Sequence, residues 1–287
     1  MRVTVGTQPG TDALAADGSV VRLRPVTPDD ATALTELYAR GSADSLRLRF
    51  FGAPGQGTLA AEVERLVRQD AADHHVVVAE LGGVLIGVAS YERLPAPDKL
   101  TIQKPVTGTR AEFAVFVDEA HRGRGVGTLL LEHLTATARR RGVTELVGEV
   151  MAGNTGMLRV AHDLSARSSP LDYGVVDVGL FTAVDAGTLA IADARDRTAE
   201  RASLRPLFAP RAVAVVGAGR EPGGIGHAVL QSLVEFSFTG NLYVVNPHAT
   251  SIAGVPSYPS LADIPDAVDL AVISVPDRKS TRLNSSH

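Results

Sequence analysis

The chain has 287 residues, 45% of them hydrophobic and 21% charged, with a formal net charge of −4 and no cysteine. That length suffices for two domains with cores of their own, and that charge gives no bulk attraction to nucleic acid or to an anionic membrane. The missing cysteine excludes disulfides, thiol nucleophiles and thiolate metal sites, and no metal site is expected.

The N-terminus has no apolar core of signal-peptide length, and no apolar run approaches the span of a bilayer; a cytoplasmic location is the expectation. Residues 1–18 read as a flexible N-terminus. Ser19 to Val26, SVVRLRPV, alternates apolar and polar residues and predicts a strand. Thr27 suits a helix N-cap, Pro28 the first position after it, and Asp29 and Asp30 the positive helix end. A second helix is predicted from Thr58 to about Asp70. HHVVVAELGGVLIGVASYERL reads as two strands around Gly82 and Gly83, a hairpin signal. Ala111 to Val117, AEFAVFV, is another strand. From Thr128, TLLLEHLTATARRR has helical spacing and stops at Gly142. VTELVGEVM predicts a further strand, Asn154 can cap a helix over TGMLRVAHDL, and YGVVDVGLFT closes the unit. The order is strand, two helices, three strands, helix, strand, helix, strand: a mixed α/β domain over 19–182.

Between the strand ending at Val117 and the helix after it stands HRGRGVG. A helix N-terminus offers free amides and the positive end of its dipole to an anion. Glycines let phosphate oxygens approach the backbone. No Gly-Lys-Ser/Thr follows, so this is not the phosphate loop of nucleotide triphosphatases. Arg122-x-x-Gly125-x-Gly127 in this setting resembles the pyrophosphate loop of the GNAT acetyltransferases, and the element order over 19–182 resembles that superfamily. The resemblance implies acetyl-CoA as donor, with Arg122, Gly123, Arg124, Gly125, Val126 and Gly127 around the pyrophosphate. It implies backbone groups near Phe116 and Val117 along the pantetheine arm or at the thioester carbonyl, with Asn154 nearby. Glu112, on the strand feeding the loop, is the candidate base; the residues alone equally allow an exposed strand residue. Many members carry a tyrosine that protonates the leaving thiolate. Ala161 stands in its place here, so no general acid carries over. His162, adjacent on the helix, is not expected to be catalytic.

Residues 183–203 read as a linker with partial helical character. From 204 to 276 the pattern becomes a buried strand, a glycine loop, a helix, a strand, a helix and a strand, the start of a Rossmann-type sheet. Pro222 at the third fingerprint glycine and Asn246 at the ribose-binding acid argue against a dinucleotide. The pieces LFAPRAVAVVGAG, GGIGHAVL, FTGNLYVVNPH, IAGVPSYPSLADIP and VDLAVISVP closely resemble the CoA-binding domain of NDP-forming acyl-CoA synthetases. That resemblance implies CoA or acyl-CoA at Gly217, Gly219, Gly226 and Asn246. Gly219 and His248 depart from the family, which often has a serine and a lysine there. Residues 277–287 lack apolar periodicity and are expected to be a non-native tail.

The pair of domains resembles the bacterial protein lysine acetyltransferases of this architecture. The expected function is acetyl transfer from acetyl-CoA to a lysine of a protein substrate, with acyl-CoA synthetases among the candidate partners. Two alternatives stay open: acetylation of a small-molecule or N-terminal amine, and a non-catalytic acyl-CoA sensor. No nucleic acid or membrane partner is expected.

Overall fold

The structure is a computed structural model that describes residues 10–68, 73–95, 108–184, 186–220 and 222–275. The start of the chain at 1–9, the domain end at 276 and the expected tail at 277–287 lie outside the described residues. The chain divides into two units after Ala202. No helix among the described residues is long and apolar enough to cross a membrane.

The first unit opens on a hairpin of β1 (Thr11–Leu14) and β2 (Val20–Pro25). Residues 10–18 are therefore not a flexible lead, because β1 pairs along its whole length and Ala15 is buried in the core. Thr27 and Asp30 form a reciprocal cap ahead of α1 (Ala31–Ala39). Then come α2 (Ala43–Phe50), α3 (Gln56–Val67), β3 (His74–Leu81) and β4 (Val84–Arg93). The unit continues with β5 (Arg110–Val117), α4 (Val126–Arg140), β6 (Glu145–Met151), α5 (Thr155–Asp163), β7 (Arg167–Pro170) and β8 (Val175–Phe181). The eight strands form one sheet in the order β1-β2-β3-β4-β5-β6-β8-β7. The β1 strand, α2 and β7 are additions to the predicted order.

Strand alternation sorts this sheet into two cores. Val77, Ala79, Ala111, Phe113 and Leu146 face α4 and α5. Val76, Val78, Val88 and Phe116 face α1 and α3. The pairing of β5 with β6 is parallel and covers only Arg110–Glu112 against Glu145–Val147; past that point the strands part. The Phe113 ring is the local wedge. It lies against Gly148, where an added Cβ would stand 3.0 Å from the ring.

The stretch at 183–203, expected as a linker, carries α6 (Ala186–Phe208). Within the first unit, Arg195 of α6 pairs with Glu132 of α4 at 2.5 Å and Ala199 is buried.

The second unit holds β9 (Ala212–Val216), α7 (Ile225–Glu235), β10 (Asn241–Val245), β11 (Ser251–Ile252), β12 (Val255–Tyr258) and β13 (Leu270–Ile273). Its sheet runs β11-β12-β10-β9-β13, with β10 and β13 parallel to β9 on either side. This is Rossmann-like. The second helix expected between β10 and β13 is absent there. The β11–β12 hairpin and a single 3-10 turn at Leu261–Asp263 take its place, since Pro256, Pro259 and Pro265 remove the amides a helix needs.

Candidate active site

The glycine-rich loop joins β5 to α4. Gly123 and Gly125 have φ of +73° and +82°, a region that strains other residues. Gly125 occupies the N-cap position, with no side-chain cap on the helix. The first intrahelical bond of α4 runs from Leu129 N–H to Gly125 O. The amides of Val126, Gly127 and Thr128 precede it and have no partner in the helix, so the start of α4 is open to an anion. Gly127 has room for a Cβ, with Val160 at 3.6 Å and Val117 at 3.9 Å; a longer side chain there would point into that packing.

The two arginines of the loop divide. Arg122 is half exposed, with its Nε donating to Val117 O at 3.3 Å. Arg124, expected beside phosphate, turns back instead. Its guanidinium lies 2.6 Å from the Asp17 carboxylate and donates to Ser19 Oγ at 2.9 Å. Its carbonyl accepts from Ala16 N–H at 2.8 Å. The β1–β2 turn thus clamps the loop, a role that sequence could not give because the partners are about a hundred residues away.

Where β5 leaves β6, its backbone edge opens. Asp118 N–H donates to Ile86 O on the β4 side, and backbone groups alternate sides along a strand. The polar groups of Phe113, Val115 and Val117 therefore face the gap, whereas those of Phe116 face β4. Of the two residues expected along the arm, Val117 thus presents its backbone to the gap, whereas Phe116 does not and its ring is buried against Tyr38 with centroids 5.0 Å apart.

A cleft of about 320 Å³ runs through the gap. Phe113, Val115, Val150, Asn154 and Met157 line it toward α5, and Leu48 to Phe51, Glu112, Ala114 and Glu149 line it toward α2. Glu112 shares the sheet face of Phe116 by alternation, and Glu149 lies on the same side of β6, opposite Leu146 and Val150. Both carboxylates are exposed, and neither has an ion-pair or hydrogen-bond partner among the described residues. Their neighbours are paired: Glu92 with Arg65, Glu62 with Arg49, Asp177 with Arg167. Glu149 was not singled out from the sequence; its signal was its position two residues past the end of the β5–β6 pairing, which sequence does not display.

Asn154 stands at the cleft, and its Oδ1 caps α5 by accepting from Met157 N–H at 3.1 Å. Ala161 is fully buried in the core behind α5, so no side chain reaches the cleft from that position. The His162 side chain is 90% exposed beside Asp163.

In the second unit, Gly217 (φ +87°) follows β9 and meets the chain just past β13: an added Cβ would lie 2.7 Å from the Val275 side chain. Gly226 is closed in by Ser274 and by Ala218, 2.8 Å from an added Cβ. These two glycines, expected at a ligand, serve close packing of loop, helix and strand. Gly219 alone of the three faces open space. Asn246 is likewise occupied, donating from Nδ2 to Ala218 O at 2.8 Å and accepting His248 N–H at 2.9 Å. The loop sits where β9 has neighbours reached by crossovers in opposite directions, the place where open α/β sheets bind ligands.

Comparison with known proteins follows this division. A profile of the acetyltransferase (GNAT) family matches residues 43–164, and one of a CoA binding domain matches residues 211–283. The GNAT domain of S. lividans PAT is 32% identical in a structural match with a TM-score of 0.52, covering 60% of this chain and 96% of that domain. The ADP-forming acetate–CoA ligase II of Archaeoglobus fulgidus is 44% identical over 241 residues, 69% of this chain. The alpha subunit of the ADP-forming acetate–CoA ligase I of Pyrococcus furiosus is 44% identical over 78 residues, 26% of this chain and 17% of that subunit. The chain spans 35% of the length of the Archaeoglobus ligase.

Proposed function

Because the chain belongs to the GNAT acetyltransferase family and carries a CoA-binding domain beside its GNAT domain, we propose that it transfers an acetyl group from acetyl-CoA to a lysine amine of a protein. The observation that carries this reading is the cleft through the parted strands β5 and β6, lined by two carboxylates without a partner among the described residues, together with the open start of α4 in the chain that follows β5. The pyrophosphate binds at the amides of α4 and at Arg122. The acyl arm lies along the free edge of β5, where an N–H of Val115 or Val117 polarises the thioester carbonyl.

A lysine ammonium is mostly protonated at neutral pH and cannot attack. Glu112 takes that proton, directly or through water. The neutral amine then adds to the carbonyl carbon, its nitrogen gives up a second proton to water, the C–S bond breaks, and CoA leaves as thiolate. The thiolate is a weak enough base to depart without an acid at Ala161. The charge of Glu112 and Glu149, without a partner among the described residues, favours a cationic acceptor such as a lysine ammonium. An acyl-CoA synthetase is a reasonable protein acceptor, given the kinship of the second unit with such enzymes. That unit takes CoA or acyl-CoA at the Gly219 side of its loop and serves as a regulatory domain.

The test incubates the full chain with acetyl-CoA and, in separate arms, lysine-bearing proteins including an acyl-CoA synthetase, N-terminal peptides and polyamines, and reads free thiol. Release with the proteins, with the label mapped to lysine, is expected. Release with the other amines alone assigns a different acceptor. Binding of acetyl-CoA with no release in any arm supports the sensor, which the missing acid at Ala161 favours.

A further inference from the structure

Glu119 lies in the turn between β5 and the glycine-rich loop. Its Oε1 accepts hydrogen bonds from the hydroxyls of both Ser42 and Ser45. The Arg122 Nη1 stands 3.7 Å from the same oxygen. Ser42 is the N-cap of α2, its Oγ accepting from Ser45 N–H at 3.2 Å, and Ser45 is buried. The preceding residue anchors the turn: Asp118 accepts from Arg40 Nε at 2.8 Å, and Arg40 donates to Leu85 O at 2.7 Å. From this end α2 runs on to the cleft wall at Leu48 to Phe51. One carboxylate oxygen therefore holds a helix of the acceptor side and a guanidinium of the donor side.

We infer that Glu119 is a positioning residue that couples the two substrates, releasing Arg122 to the acyl-CoA pyrophosphate and thereby committing itself to α2. The inference rests on the acyl-CoA reading of the loop. The ion pair that must give way is weak: Arg122 and Glu119 are 44% and 41% exposed and 3.7 Å apart, and such pairs contribute little. Phosphate offers the guanidinium charge-assisted hydrogen bonds that are shorter and stronger. Once Arg122 leaves, the Glu119 charge is shared by the two serine hydroxyls alone, beside the positive end of α2. An eight-residue helix does not hold its shape by its own bonds, so its order follows such ties. Donor binding then firms the acceptor wall, and by reciprocity acceptor binding tightens the donor.

The experiment is amide hydrogen exchange on the full chain with and without saturating CoA. Exchange at 123–128 reports occupancy of the loop; exchange at 43–50 reports α2. In the wild type, CoA slows exchange in both segments, α2 by up to about fivefold, the most that an exposed pair of about 1 kcal/mol can pass on. In Glu119→Gln, and independently in the double variant Ser42→Ala/Ser45→Ala, the loop is still protected by CoA while α2 no longer responds. Two variants acting on opposite sides of the same contact separate lost coupling from lost folding. Protection of the loop without any response of α2 in the wild type overturns the coupling alone, as does a response that survives in both variants. No protection of the loop at all overturns the acyl-CoA reading and the coupling with it.

Discussion

At Glu112 the demand is chemical: something must accept the proton of the attacking amine, and this carboxylate stands free in the cleft. Glu112→Gln keeps the shape and removes the base, so kcat should fall by about two to four powers of ten while acetyl-CoA affinity changes little. Glu149→Gln removes charge from the same face without removing the base. Its effect should fall on the acceptor KM with kcat nearly intact; equal losses of kcat in both variants would make the pair a shared base. A different residue contributes to the acid sensitivity of the fold, alongside His74 and His133, whose pKa values burial also lowers. His75 is buried between strands beside Tyr91, their ring centroids 5.9 Å apart. Burial, and after it the nearby Arg141 charge, pushes its pKa from 6.5 down to about 4. The native state thus keeps His75 neutral while the unfolded chain protonates near 6.5. Its contribution is fully present above pH 6.5 and is lost as pH falls from there toward 4, a swing of about 3 kcal/mol. His75→Phe should flatten the dependence of Tm on pH between 6.5 and 4. An unchanged slope in that variant would place the acid sensitivity elsewhere.

At the level of elements, the glycine loop is shaped by one arginine and charged by the other. Arg122→Ala should weaken acetyl-CoA binding and reduce its sensitivity to salt, because a phosphate contact is lost. Arg124→Ala should also weaken binding, by releasing the β1–β2 clamp, but leave the salt sensitivity as it was; a reduced sensitivity there would return Arg124 to the phosphate. The strand gap depends on Gly148 in the same way. Gly148→Ala puts a methyl 3.0 Å from the Phe113 ring. The ring must shift, with a stability loss of about 1–3 kcal/mol, read by thermal unfolding, and a weaker grip on acetyl-CoA. Local chemistry made much of this legible. Thr27 and Asp30 announced their cap, Gly82 and Gly83 the hairpin, and Gly125 and Gly127 the anion loop. What stayed hidden is long-range or brief. The parting of β5 from β6 is a matter of register between distant strands. The α2 segment, ADSLRLRF, mixes apolar and charged residues without a clear face, and β7 is four residues with no large apolar side chain. The Asp17–Arg124 clamp needs the sheet before it exists. Glycine was overread in the second unit, where Gly217 and Gly226 answer to β13 packing as much as to any ligand.

Among the described residues the molecule carries two loops of one kind, each a glycine-rich turn from a strand into a helix N-terminus, in units with separate cores. Each should bind CoA by itself, and the first lies beside Glu112 and Glu149, carboxylates that can serve an amine. The two sites can then be removed one at a time. Gly125→Glu sets a non-glycine residue at φ +82° and a negative charge at the open start of α4, a backbone cost of about 1–2 kcal/mol added to repulsion of phosphate. Gly219→Glu places the charge where an added Cβ meets nothing within 4 Å, so the second unit should fold and yet refuse a phosphate. Calorimetric titration with CoA should give two sites for the wild type and one for each single variant. Thiol release from acetyl-CoA should vanish in Gly125→Glu. In Gly219→Glu it should persist, with any change confined to its response to CoA concentration. Loss of turnover in Gly219→Glu, in a protein that still binds acetyl-CoA at the first loop, would mean that the second unit takes part in the reaction itself, and the regulatory assignment would have to be given up.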